Sequence, residues 1–260
     1  MAAIKLGVEA RSARLPLKRL LPLVRQWGAG AVELDARGDA NPQQLSQTGR
    51  RQLRKLFDDF ELRVAAIGFR TRRGYDVADE LDRRVEATKA AMKLAYDLGA
   101  SWVVNQVGRI PEDATNPRWN LLIEALDDLG RFGQRNGAGL AAETGSEAGA
   151  DLARLVAALS PGSIGVALNP GNLIINGFSA LDAVAALGAD IVYVHAQDGV
   201  RDLAQGRGIE VPLGRGSADF PALLGALEER EYRGYWTVMR ENSSNPVEEL
   251  GHAVSFLKSL

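Results

Sequence analysis

Cysteine is absent from all 260 residues, which excludes a disulfide framework and a thiolate zinc site and makes the chain compatible with a reducing compartment. Histidine occurs only twice, at His195 and His252. Aromatic residues are sparse at 6%, and the formal net charge is only −2. Lys and Arg alternate with Asp and Glu along the chain, so no basic footprint for nucleic acid is present. A nuclease site with several metals and many histidines is excluded on the same grounds. The opening MAAIKLGVEARS lacks a charged segment followed by a long apolar stretch, so the expected location is cytoplasmic, with no membrane partner.

What the chain has instead is aliphatic bulk. Apolar residues make up 46% of the sequence, mostly Val, Ile, Leu and Ala, as expected of parallel strands buried on both faces under helices. One pattern recurs: a short apolar run, a polar loop, a segment with apolar residues three and four apart, then a glycine. Eight strands are predicted, at 4–8, 31–35, 64–69, 101–106, 139–143, 164–169, 191–195 and 235–239. Helices are predicted near 17–28, 43–58, 78–98, 117–136, 148–159, 179–187, 219–230 and 246–258. In the third of these Leu81, Val85, Thr88, Met92 and Ala95 share a face, and Gly99 stops the helix. Pro246 suits the first turn of the last.

Eight such units in about 250 residues point to a closed (β/α)8 TIM barrel, an α/β fold forming one domain over 1–260. A doubly wound dinucleotide fold is disfavoured, because Gly28-Ala29-Gly30 precedes a strand and has Glu33 where a third glycine belongs. No linker or low-complexity tract divides the chain.

Barrel enzymes keep their chemistry at the carboxyl ends of the strands. Four late strands end at Glu143, Asn169, His195 and Met239. A carboxylate closing the apolar run Gly139-Leu140-Ala141-Ala142 is costly to bury unless a cation, a metal or hydrogen bonds receive it. His195, ending Ile191-Val192-Tyr193-Val194, is placed to bind a metal or move a proton. His252 is expected to be structural, in the terminal helix. Earlier strand ends add Glu9, Arg11, Asp35, Arg37, Phe69, Arg70, Asn105 and Gln106, a polar rim with several cations. Gly214-Arg215-Gly216-Ser217-Ala218-Asp219 precedes a helix, where backbone N–H groups bind anions or Ser217 or Asp219 acts as an N-cap.

Glu143, the turn Asn169-Pro170-Gly171-Asn172, His195-Ala196-Gln197-Asp198 with Arg201 following, and Val211-Pro212-Leu213-Gly214-Arg215-Gly216 together resemble the xylose isomerase-like barrel superfamily, most closely its sugar phosphate isomerase and epimerase branch. The likeness runs over nearly the whole chain. It implies a divalent metal (Mn, Mg, Co or Zn) held by Glu, Asp, His and Glu from strands five to eight, with the two glutamates as acid and base on a small carbohydrate or polyol. Glu143 and His195 match that set and are the implied catalytic residues. Asn169 stands in the Asp position, Met239 in that of the second Glu, and Asn172 where a histidine is frequent.

An amide brings a metal no charge, and a thioether is a poor ligand for a hard dication. Metal affinity is therefore expected to be weak or absent. Met239 also removes one of the two bases that epimerisation needs, unless Glu241 replaces it. Substrate contact is assigned to Arg201, Asp198, Asn105, Arg215 and Glu241. Two functions follow: an isomerase or epimerase using enediol-type proton transfer, or a degenerate barrel that binds a carbohydrate-like ligand or a protein partner without turnover. A homo-oligomer formed through rim helices and loops is a further expectation.

Overall fold

The structure is a computed structural model, and it describes residues 4–201 and 208–260. Eight parallel strands close into a barrel. They are β1 (Lys5–Glu9), β2 (Ala31–Asp35), β3 (Arg63–Gly68), β4 (Trp102–Asn105), β5 (Gly139–Glu143), β6 (Gly165–Leu168), β7 (Ile191–Ala196) and, after a short antiparallel hairpin of β8 (Asp198–Val200) and β9 (Ile209–Val211), β10 (Tyr235–Val238). The barrel shuts where β1 pairs with β10, from Lys5 opposite Tyr235 to Val8 opposite Val238.

The larger helices pack outside: α2 (Leu17–Trp27), α3 (Gln47–Asp59), α4 (Leu81–Asp97), α5 (Pro117–Asn136), α6 (Gly149–Ala157), α8 (Ala180–Leu187), α9 (Phe220–Glu228) and α10 (Pro246–Lys258). Two short helices, α1 (Ala10–Ala13) and α7 (Pro170–Ile175), lie directly after strand ends. All eight predicted strands and eight predicted helices are present, with ends shifted by a few residues. The hairpin, α1 and α7 were not predicted, since three to six residues carry too little periodicity to register. Among the described residues no helix is long and apolar enough to cross a membrane.

Local chemistry sets the boundaries. Gly28 and Gly137 end α2 and α5 in the left-handed conformation, at φ 85° and 87°. Asn116, Ser179 and Asp219 cap α5, α8 and α9 by accepting a backbone N–H. Helix α2 turns Leu20, Leu21 and Val24, all fully buried, toward the barrel. Truncating Leu21 to Ala there should cost about 2–5 kcal/mol.

Strand alternation divides the core in two. Outward-facing residues meet the helices, whereas Ala31, Ala66, Val104, Ala141, Ala167 and Tyr193 form a separate buried cluster inside the barrel. Most of these are small, and Tyr193 fills the space they leave. One step further along each strand, the same inward alternation brings Glu9, Glu33, Glu143, Asn169, His195 and Met239 to the carboxyl end.

Candidate active site

Six side chains from six strands meet at that end, and none is more than 5% exposed. At their centre His195 lies between two carboxylates. Its Nδ1 is 2.6 Å from Glu143 Oε1, and its Nε2 is 2.7 Å from Glu33 Oε2. Each ring nitrogen thus faces a carboxylate oxygen, an arrangement that an imidazolium satisfies with both of its N–H groups. Burial alone would push its proton off, but Glu33 and then Glu143 outweigh that and hold the His195 pKa well above its ordinary 6.5. Burial likewise raises Glu143, yet the His195 cation overrides it and brings the Glu143 pKa down to about 2.

The surrounding contacts lock the triad. Tyr193 donates its hydroxyl to Glu33 Oε2 at 2.9 Å and lies 2.5 Å from Thr237 Oγ1. Gly68 makes the room: a Cβ there would lie 2.7 Å from Glu33 Oε1. A register shift between Val32 and Glu33 against β3 accompanies this crowding.

Asn169 is the N-cap of α7, and its Oδ1 accepts the Asn172 N–H at 2.9 Å. Its other end, Nδ2, donates to Glu143 Oε1 at 3.0 Å and approaches Met239 Sδ at 3.7 Å. The amide therefore turns a donor toward the centre, which an aspartate in that place would not supply.

Above the triad Arg70 closes the mouth. It pairs with Glu9 at 3.4 Å and with Glu241. Burial disfavours the Arg70 cation, but Glu143, Glu9 and Glu241 reverse that and raise its pKa further. Ser12 donates to Glu9, whose pKa is raised by burial and then by Glu33. The space left among Glu9, Glu33, Asp35, Gly68 and Arg70 is about 10 Å³, room for about one water.

The residues assigned to substrate contact are dispersed. Glu241 reaches the mouth through Arg70. Asn105 follows the inward-facing Val104 and so points the other way, bonding Thr71 and the Tyr75 hydroxyl. Asp198 accepts the backbone N–H groups of Gly199, Gly214, Gly216 and Ala218 at 2.8–3.1 Å. The glycine-rich segment does form an anion-binding nest, and the chain's own Asp198 fills it, while Asp219 caps α9. Arg215 is exposed beside His252 and Phe256 on α10, away from the centre. Arg201 is exposed and lies against Gly177, whose added Cβ would be 3.3 Å from its guanidinium; residues 202–207 beyond it lie outside the described residues.

Glu33 was missed by the sequence reading, although its signal matched that of Glu143: a carboxylate inside an apolar strand, Ala31-Val32-Glu33-Leu34. By strand-end position alone Asp35, the terminal residue of β2, is the expected rim group.

Divalent-ion binding requires lone pairs aimed at a common point. His195 has both nitrogens engaged, Asn169 presents its nitrogen, and Met239 offers sulfur. Among the described residues no three His, Asp or Glu side chains form a metal-holding group, and the donor set present does not fit a hard dication.

Comparison with known proteins agrees with the barrel architecture. The model of the xylose isomerase-like TIM barrel family matches residues 21–260. A xylose isomerase domain protein from Planctomyces limnophilus superposes with a TM-score of 0.87 at 20% identity, covering 99% of this chain and 97% of that one. An L-ribulose 3-epimerase gives 0.75 at 20% identity, with 98% and 93% covered. A xylose isomerase-like TIM barrel protein from Mycobacterium smegmatis in complex with magnesium gives 0.78 at 16% identity, with 100% and 98% covered. No curated protein sequence matches. Identities this low carry the fold alone, but the family match spans most of the chain: this protein belongs to the xylose isomerase-like TIM barrel family.

Proposed function

We propose that this protein is a carbohydrate- or polyol-binding barrel of the isomerase and epimerase type in which metal-assisted turnover has been lost. One observation carries the reading: His195, the residue matching the family's metal-ligating histidine, has each ring nitrogen within 2.7 Å of a different buried carboxylate. A base for enediol formation is also weakened. Holding Glu143 near 2 rather than 4.5 costs proton abstraction on the order of 3 kcal/mol. Met239 supplies no second base on the opposite face.

Binding is supported by the polar mouth. Glu9, Arg70 and Glu241 present two carboxylates and a guanidinium suited to hydroxyl groups, and several barrels of this architecture are named for sugar reactions. A ligand enters only when Arg70, whose side chain is 30% exposed, swings off Glu9 and Glu241.

The test combines metal analysis of purified protein, calorimetry against a panel of pentoses, hexoses and inositols, and solvent-deuterium exchange at the carbon beside the carbonyl. Sugar binding without stoichiometric metal and without deuterium wash-in is expected. Metal that disappears in His195→Gln, or wash-in abolished by Glu143→Gln, would overturn the reading.

A further inference from the structure

Beside the barrel mouth, between the loop after β2 and the first turns of α4, lies a cleft of about 720 Å³ lined by five arginines, Arg37, Arg72, Arg73, Arg83 and Arg84, and only two carboxylates, Asp79 and Glu80. We propose that this cleft binds a small organic phosphate. None of Glu33, Glu143, Asn169 or His195 lines it, so the proposal stands apart from the function assigned to the barrel centre.

The two carboxylates are already spent. Arg73 pairs with Asp79, and Arg83 with Glu80 at 3.0 Å. No salt bridge among the described residues neutralises Arg37, Arg72 or Arg84, which leaves three cations facing one cavity in a chain whose net charge is −2. Like charges gathered this way repel one another, and an anion between them removes that cost.

Two of the three are held in place. The Arg84 guanidinium donates to the carbonyls of Val77 and Asp79, and its Nε is buried with no hydrogen-bond partner, a donor still to be satisfied. Arg37 sits over the Phe69 ring at 5.4 Å from its centroid, which holds it against the cleft wall. Planar guanidinium forks suit the paired oxygens of a phosphoryl group.

Size and lining narrow the class. The volume falls in the usual range for small-molecule sites and exceeds what inorganic phosphate fills. Pro42, Phe69, Ala87 and Ala90 supply an apolar wall for the rest of a ligand. A nucleic acid requires an extended basic track, and the cleft is bounded by Asp79 and Glu80 instead.

Calorimetric titration of the full-length protein with inorganic pyrophosphate tests this. Saturable binding is expected that weakens between 50 and 200 mM salt and falls at least tenfold in Arg37→Ala/Arg72→Ala, both exposed positions, with the melting temperature unchanged. Arg215→Ala, on another face, should leave affinity as it is. Absent binding, or equal binding by the double variant, would overturn the site. Citrate binding as tightly as pyrophosphate would overturn the phosphoryl assignment, and tighter capture of a short single-stranded oligonucleotide would overturn the small-ligand class.

Discussion

His195→Gln tests the charged triad most directly, because it removes the cation and keeps an amide of similar reach. In the native chain one imidazolium serves Glu33 and Glu143. A Gln side chain donates to one of them and turns its carbonyl oxygen toward the other, leaving one buried carboxylate with only its neutral donor, Tyr193 for Glu33 or Asn169 for Glu143, and no countercharge. Breaking a buried pair in that way costs about 3–5 kcal/mol. The pH dependence is more specific than the loss itself. Because the folded pKa of His195 is raised, its contribution is fully present below the unfolded value of 6.5 and is lost as pH rises toward the folded value. Over that window the unfolded chain has released a proton that the folded chain keeps, so stability falls by ~1.4 kcal/mol per pH unit.

Equilibrium urea unfolding at pH 7.5, 8.0 and 8.5 reads this slope. Glu147, raised to about 7, titrates mostly below that range, and the other histidine, His252, is exposed. Native protein should show the slope and His195→Gln should lack it. The Glu143 contribution has the opposite sense: its depressed pKa gives stability present above 4.5 and lost as pH falls toward 2, so the penalty of His195→Gln should shrink in acid. A native slope below a third of that value, or one that survives the substitution, would show that His195 is not held as a cation.

Three further outcomes follow from the same contacts. Asn169→Asp/Met239→Glu replaces a donor and a thioether with carboxylates against Glu143; thermal melts should show destabilisation without metal and recovery with Mn²⁺, whereas the native protein should ignore the ion. Glu147 is raised to about 7, first by burial, so it opposes folding as pH climbs from 4.5 through 7; Glu147→Gln should stabilise the chain by up to about 3 kcal/mol at pH 8.5 and leave it unchanged near pH 4, measured by urea unfolding. Glu210, whose side chain is only 2% exposed, pairs with Arg240 at 2.6 Å and accepts Gln197 Nε2 and the backbone N–H groups of Glu241 and Asn242. Arg240→Met should therefore cost about 3–5 kcal/mol and raise hydrogen exchange at Glu241 and Asn242.

Strand and helix order were legible because burial imposes periods of two and about 3.6 over enough residues to count. Gly99, at φ 79°, and Pro246 marked helix ends for reasons confined to their own backbone. The ordered row Glu143, Asn169, His195 and Met239 was legible as well, since each is the last inward residue of its strand or the one just beyond. Partnership was not. Asn169 reads as a weakened ligand in a string of letters, but α7 gives its oxygen an N–H to cap and leaves its nitrogen for Glu143. Asp198 reads as a substrate contact, yet loop residues 214–218 fold back onto its oxygens.

The sequence by itself determined a barrel and five of the six residues that crown it, because alternation and turn chemistry act between neighbours in the chain. Only the closed barrel decided their chemistry. Glu33 and His195 stand 162 positions apart, and no local pattern relates them. Barrel closure puts β2 across the mouth from β7, and in a space too dry for an unpaired charge a histidine and two carboxylates satisfy one another, leaving no ring nitrogen for a metal.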